Sequence, residues 1–287
     1  NGDDLQIFHN GTNSIISNGT GDLSIRSGNN IVFMDNTADE TFAKFVDNGG
    51  GIVGSHAGKS GMLLISGCVF TGNINGVLLN DNLSRKHCGG LCGSDIGESM
   101  GNVLIYNCSS LGNIFTGNSG GICGSNVANN KGNVVILACN FVGDILTNAT
   151  LDGGRTGGIC GSYTGNNGGN VLIMCCSVLG HMDSQNRSCG GILGSNAANY
   201  GGKVYLISCH TNYYSSNYSG VFIGPNALSN GSGDLKIEYC SNPHISTSSI
   251  YVPLYDGDQN TKLKKTDIKE PATTLSKNNI LKNYNIS

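Results

Sequence analysis

Side chains able to do acid–base or metal chemistry are few and scattered in this 287-residue chain, which holds 19 Asp and Glu and 6 His. Glycoside hydrolysis needs two carboxylates on either side of a substrate groove. Within the central stretch the carboxylates are mainly Asp81, Asp95, Glu98, Asp144, Asp152 and Asp183, at non-equivalent places in variable segments. His9, His56, His87, His181, His210 and His244 share no repeat position and no metal-ligand spacing. His87 with Cys88 and Cys92 has a zinc-like look, and Asp256-Gly257-Asp258-Gln259-Asn260 opens like a calcium loop with Asp267 at its twelfth place. Thr261 stands where that loop needs glycine, and the lysines that follow repel a cation. No catalytic, cofactor or metal residue is assigned on this basis.

The twelve cysteines are the other reactive set, and their spacing matters more than their number. Cys68, Cys108, Cys139, Cys176, Cys209 and Cys240 occupy one slot of a repeat. Cys92, Cys123 and Cys160 occupy a second, which holds Val53, Leu193 and Ile223 in other copies. A slot that exchanges Cys with Val, Leu and Ile is a buried slot for small hydrophobes. Stacked equivalents lie ~4.7–4.9 Å apart, wider than the ~3.8 Å between Cβ atoms that a disulfide prefers. These nine are expected to be free core thiols. Cys88, Cys175 and Cys189 fall outside both ladders, and their state is left open. Nine Asn-x-Ser/Thr sequons, from Asn10 to Asn285, point instead toward a secretory route.

The elements that position these cysteines follow from the repeat. Gly120-Gly121-Ile122-Cys123-Gly124-Ser125, then Gly132 to Cys139, recurs from Gly50 to Cys240, with an orphan second half at Gly21 to Gly28. A period of ~30–40 residues marks a solenoid or array. Glycine is plentiful at 45 residues and proline scarce at 4, and the glycine is read as serving turns. From the second glycine to the closing cysteine the distance is 18 steps in four copies and 17 in the first. The return from cysteine to the next glycine pair varies from 12 to 22 steps, so length variation collects at one edge. Thr71 to His87 and Gly143 to Thr156 are the protruding loops, where solenoids carry recognition.

In Val-x-Ile-x-x-Cys the first and third positions are large and apolar in every copy, from Leu63/Ile65 to Leu235/Ile237, and are expected to face inward. The fold class is therefore all-β: a parallel β-helix, or β-solenoid, of about six repeats. Residues 1–49 are read as an N-terminal cap with a worn first coil, 50–242 as the array, and 243–287 as a tail, cap or docking segment. The alternate positions decide more. They are polar at the ends, as Ser24/Arg26 and Lys236/Glu238, but apolar in the middle: Leu104/Tyr106, Val135/Leu137, Leu172/Met174 and Tyr205/Ile207. A strand apolar on both faces is covered on both faces. This outer rank is expected to be buried by the chain's own tail or by another subunit, and is taken as an assembly interface.

The Gly-Gly-apolar-x-Gly motif, followed by Cys-x-x-x-Gly-x-apolar at Cys68 to Ile74, Cys108 to Ile114, Cys139 to Ile145 and Cys176 to Met182, resembles the GLUG-type repeats of bacterial surface proteins. Similar Gly/Asn/Cys-rich arrays occur in proteins of large DNA viruses. The resemblance covers about two thirds of the chain and weakens at its end, where Val221 replaces the second glycine and Pro225 the serine. It implies a surface or structural role and carries over no catalytic residue.

The expected function is that of a non-enzymatic structural protein whose outer face and coil ends assemble copies of itself into a fibre, filament or coat at a cell or particle surface. A surface adhesin binding glycan or receptor through the variable loops is the alternative, and a polysaccharide-degrading β-helix enzyme the next. A net charge of −3 with 12% charged residues leaves no basic stripe for nucleic acid, and no apolar run is long enough for membrane insertion. No Thr rank of the kind that binds ice is present.

Overall fold

The computed structural model describes residues 5–9, 14–18, 31–33, 43–44, 49–75, 87–115, 117–146, 155–181, 189–213, 220–230, 232–243 and 268–269. Contacts divide the chain into two units, Asn1–Ile31 and Val32–Ser287. The first holds an antiparallel hairpin, β1 (Leu5–His9) with β2 (Ser14–Asn18).

The second unit is a parallel β-solenoid, and among the described residues it contains no helix. Its longest wall is a seven-stranded sheet of β5 (Met62–Ser66), β8 (Asn102–Tyr106), β11 (Asn133–Leu137), β13 (Asn170–Met174), β15 (Lys203–Ile207), β17 (Asp234–Glu238) and β18 (Ile268–Lys269). The next wall stacks β3 (Ile31–Phe33), β6 (Cys68–Phe70), β9 (Ser109–Ser110), β12 (Asn140–Phe141), β14 (Ser177–Val178) and β16 (His210–Thr211). A third holds β4 (Ala43–Lys44), β7 (Ile74–Asn75) and β10 (Ile114–Phe115), continued by a bridge from Ile114 to Ile145. The Gly-x-x-Cys segments close each coil through bridges such as Gly89 to Gly120 and Cys92 to Cys123.

Register follows the repeat without slippage. Val103, Val134, Val171, Val204 and Leu235 are successive partners, and so are Ile105, Ile136, Ile173, Leu206 and Ile237. All ten are buried. Period-two alternation dictates this, because a one-residue slip would turn the whole inward set outward. Each such side chain contributes roughly 1.5–3 kcal/mol when fully buried. At the far end Ile237 pairs with Ile268, a 31-residue step equal to those from Asn102 to Asn133 and from Lys203 to Asp234. Ile268–Lys269 thus lies on the sheet in coil register.

The glycine pair does not serve turns, contrary to expectation. Neither of its members has a positive φ in any described coil. What glycine supplies is room. A Cβ on Gly120 would come within 2.7 Å of the Ile159 carbonyl oxygen in the next coil, and one on Gly121 within 2.6 Å of Phe141 Cδ1. The second glycine is the space into which the inward residue of the short strand packs: Phe70 against Gly51, Phe141 against Gly121, Val178 against Gly158. Turning falls to residues held in the left-handed region, among them other glycines such as Gly58, Gly97 and Gly165 and many non-glycine residues. Gly67, Asn107, Ala138, Cys175, Ser208 and Tyr239, each just before a ladder cysteine, have φ between 52° and 64°.

None of the twelve cysteines is joined in a disulfide, and all except Cys175 are buried. The long-ladder slot suits a thiol because it is small and its weak S–H donor meets a carbonyl of the preceding coil. Cys176 Sγ lies 3.5 Å from the Ile136 oxygen and Cys209 Sγ 3.4 Å from that of Ile173. Burial pushes the Cys68, Cys160 and Cys176 thiols up, so they stay protonated. Cys88 and Cys189, left open above, stand just before the glycine pair in a third buried column shared with Ser119 and Thr156. Thr156 Oγ1 lies 2.9 Å from Cys189 Sγ across one coil step.

Candidate functional site

The outer face of the seven-stranded sheet is built by positions that alternate with the inward column. It starts with a polar rank, Asn102, Asn133 and Asn170, in which the Asn170 amide donates to Asn133 at 2.9 Å and that of Asn133 to Asn102 at 3.2 Å. The apolar ranks predicted from sequence follow, and the structure treats them unequally. Leu137, Leu172, Met174 and Ile207 form one buried cluster, with Tyr106, Val135, Ala138, Tyr205 and Tyr239 packed half-buried around it. Met174 is completely buried within the single chain. The middle of this face is therefore covered intramolecularly, and those four side chains are not offered to a partner. An Asp placed at Leu137 or Leu172 would put a carboxylate into this buried cluster.

Toward the first coil the cover ends. Leu104 is 38% exposed, Leu64, its partner on β5, 67%, and Met62 90%. Toward the last coil the face closes with polar groups instead. Tyr205 donates its hydroxyl to Asp234 Oδ2 at 2.8 Å, and Lys236 Nζ lies over the Tyr205 ring, 4.9 Å from its centre. Among the described residues no strand pairs with the outer edge of β5, whereas β17 is followed by β18. Among the described residues the two ends of one sheet thus differ: one is polar and carries a further strand, the other is apolar.

Two exposed features escaped the sequence reading. Met62 and Leu64 are the outward partners of the inward Leu63 and Ile65, and the alternation rule used for later coils would have found them. Leu111, Val142 and Leu179 are 44%, 45% and 48% exposed and stand in register one residue beyond β9, β12 and β14. They form a stacked aliphatic rank on the second wall. Their slot, three residues after the ladder cysteine, is the last variable place of the Cys-x-x-x-Gly motif.

Of the chemistry-bearing residues, Asp81, Asp152, Asp183, most of both protruding loops and the calcium-like loop fall outside the described residues. Asp144 accepts the His181 backbone N–H at 2.8 Å, a coil-to-coil tie. Among the described residues one group of three metal-ligating side chains converges: His56, Asp95 and Glu98, with ligand atoms all within 4.8 Å of one another. His56 Nδ1 lies 3.2 Å from Glu98 Oε1, and Lys59 Nζ 2.5 Å from the same oxygen. Burial opposes ionisation of Glu98, but the hydrogen bond and charge of Lys59, joined by His56, outweigh it and hold the carboxyl below its ordinary range. Among the described residues no helix is long and apolar enough to cross a membrane. No family model matches this chain, and no curated protein or solved structure matches it.

Proposed function

We propose that the chain is a non-enzymatic structural β-solenoid that associates with copies of itself, and that the contact is the first-coil end of the outer sheet face. The observation supporting this is the gradient along one apolar face, from fully buried Met174 to Leu64 at 67% and Met62 at 90% exposure. An apolar surface that stays uncovered favours association with a like surface. The polar closure by Tyr205, Asp234 and Lys236 at the other end makes a head-to-tail stack of identical coils less favourable than an end-to-end contact of two first coils. An end-to-end pairing buries each copy's Met62 and Leu64 against the same residues of the other, as a two-fold interface requires. The resemblance to surface-protein repeats points the same way.

Sedimentation tests the reading. The parent chain should form dimers at micromolar concentration, and a Met62→Asp, Leu64→Asp double variant should sediment as a folded monomer. A parent that stays monomeric at high concentration would overturn it.

A further inference from the structure

The first two coils of the array carry a charge arrangement that the later coils lack. Each coil has a left-handed residue after the Gly-Ser motif and, three positions on, a second polar residue. From the third coil onward these slots hold Asn126 with Asn129, Tyr163 with Asn166, Asn196 with Asn199, and Asn226 with Ser229. They act as coil-to-coil hydrogen-bond ties, as where the Asn199 N–H donates to Asn166 Oδ1 at 2.9 Å. In the first two coils the same slots hold His56 with Lys59 and Asp95 with Glu98. His56 and Asp95 share the left-handed geometry, with φ of 58° and 57°, which aims both side chains to the same side.

From this convergence we propose that His56, Asp95 and Glu98 form a binding site for a divalent transition-metal ion of the zinc class, which staples the first coil onto the second. One imidazole nitrogen and two carboxylates are a mixed N/O set that suits such ions better than calcium or magnesium, which favour oxygen alone. Metal–ligand bonds of about 2.0–2.2 Å in tetrahedral geometry place neighbouring ligand atoms roughly 3.2–3.6 Å apart. The 3.2 Å between His56 Nδ1 and Glu98 Oε1 meets that, and the 4.8 Å envelope of the three atoms closes with a small side-chain shift. Glu98 is 7% exposed, so a buried carboxylate anchors the site, while His56 stands at its open side. Three protein ligands leave one position for water.

Lys59 is the competitor. Its ammonium holds the place beside Glu98 Oε1, and its side chain is 53% exposed, so it can withdraw into water when an ion enters. This gives the proposal an unusual signature: removing a positive charge from the site should tighten metal binding. Ligand removal should loosen it.

The test uses the full chain with Cys175→Ser, since the exposed Cys175 thiol is itself a soft metal ligand. After chelator stripping, Zn²⁺ is titrated by calorimetry and Co²⁺ by visible absorption. One ion per chain is expected, with His56→Ala and Glu98→Gln each weakening binding by about tenfold or more, and Lys59→Gln strengthening it. Zn²⁺ should also slow amide exchange in residues 52–60. Strand circular dichroism checks folding, and His56→Ala keeps the test valid if Glu98→Gln fails to fold, because His56 is half-exposed at the coil edge. Binding unchanged in His56→Ala, binding weakened in Lys59→Gln, or a Co²⁺ spectrum with thiolate charge-transfer bands would each overturn the proposal. If Lys59 is simply the permanent partner of Glu98, Lys59→Gln lowers stability and gains no affinity.

Discussion

Leu104 and Leu172 hold the same slot of the same sheet, both paired through Val135, yet the first is 38% exposed and the second 4%. Chemistry and local backbone are alike at the two positions, so the difference is made by what lies over them. Two coils of distance convert a surface residue into a core one. The same substitution should therefore have opposite readouts at the two ends of the face. Leu172→Asp places an unpaired carboxylate in the cluster of Leu137, Met174 and Ile207 and should cost about 3 kcal/mol or more in denaturant unfolding. Leu64→Asp should stay within about 0.5 kcal/mol of the parent while reducing self-association. Equal destabilisation by both would mean that the face is covered along its whole length.

The two kinds of glycine also separate cleanly. A methyl group on Gly120 would approach backbone atoms of Ile159 and Gly161 to 2.7 Å, and neither can move without breaking the rung they belong to. At Gly54, in the first coil, nothing lies within 4 Å of the added atom. Gly120→Ala should lose about 1–3 kcal/mol by overpacking, whereas Gly54→Ala should be neutral or gain about 0.4–1 kcal/mol by restricting the unfolded chain. Thermal melts of the two variants side by side check this. A large loss at Gly54 would show that another segment packs there.

This glycine result shows where the sequence was legible and where it was not. Inward columns such as Val134 and Ile136 were readable because alternation and burial are local properties of a strand. The solenoid class was readable because the spacing from glycine pair to cysteine is nearly constant. The reason for the glycines was not, since the clash of Gly121 with Phe141 joins residues 20 apart that become neighbours only when the coil closes. That the face around Met174 is covered was legible in its apolar alternate positions, but whether the chain itself or a second subunit covers it was not, because nothing in residues 170–174 records what packs on them. The meeting of His56 with Glu98 was hidden too: a separation of 42 residues is no recognised ligand spacing until the coil length of that pair of repeats is known.

Thiol accessibility tests the cysteine columns directly. In the native chain Cys175, at the corner before Cys176, is the exposed thiol; the others are buried, and Cys108, Cys139, Cys176 and Cys209 turn their S–H groups toward carbonyls of the preceding coil. A thiol reagent without reductant should modify one group rapidly under native conditions and all twelve in denaturant. Cys175→Ser should abolish the fast phase and leave the slow ones unchanged. Recovery of fewer than twelve in denaturant would reveal disulfides and overturn the ladder geometry.

The acid sensitivity of the first coil follows from Glu98. Its folded pKa lies below the ordinary 4.5 because Lys59 and His56 outweigh burial, so the unfolded chain binds a proton there more readily than the folded one. The sign is fixed by that order. The contribution is fully present above about pH 4.5 and is lost as the pH falls through the folded value, when the neutral carboxyl releases Lys59. Because Lys59 is half-exposed, salt should weaken the tie even at neutral pH. Amide exchange in residues 50–60, corrected for intrinsic rates, should therefore rise below pH 4.5 before the coils around Ile136 and Ile173 respond. Glu98→Gln should show the raised exchange already at pH 7 and little further change on acidification. If the parent and Glu98→Gln respond to acid alike, some other group holds the first coil, and the pairing of Lys59 with Glu98 is a surface contact of no consequence for stability.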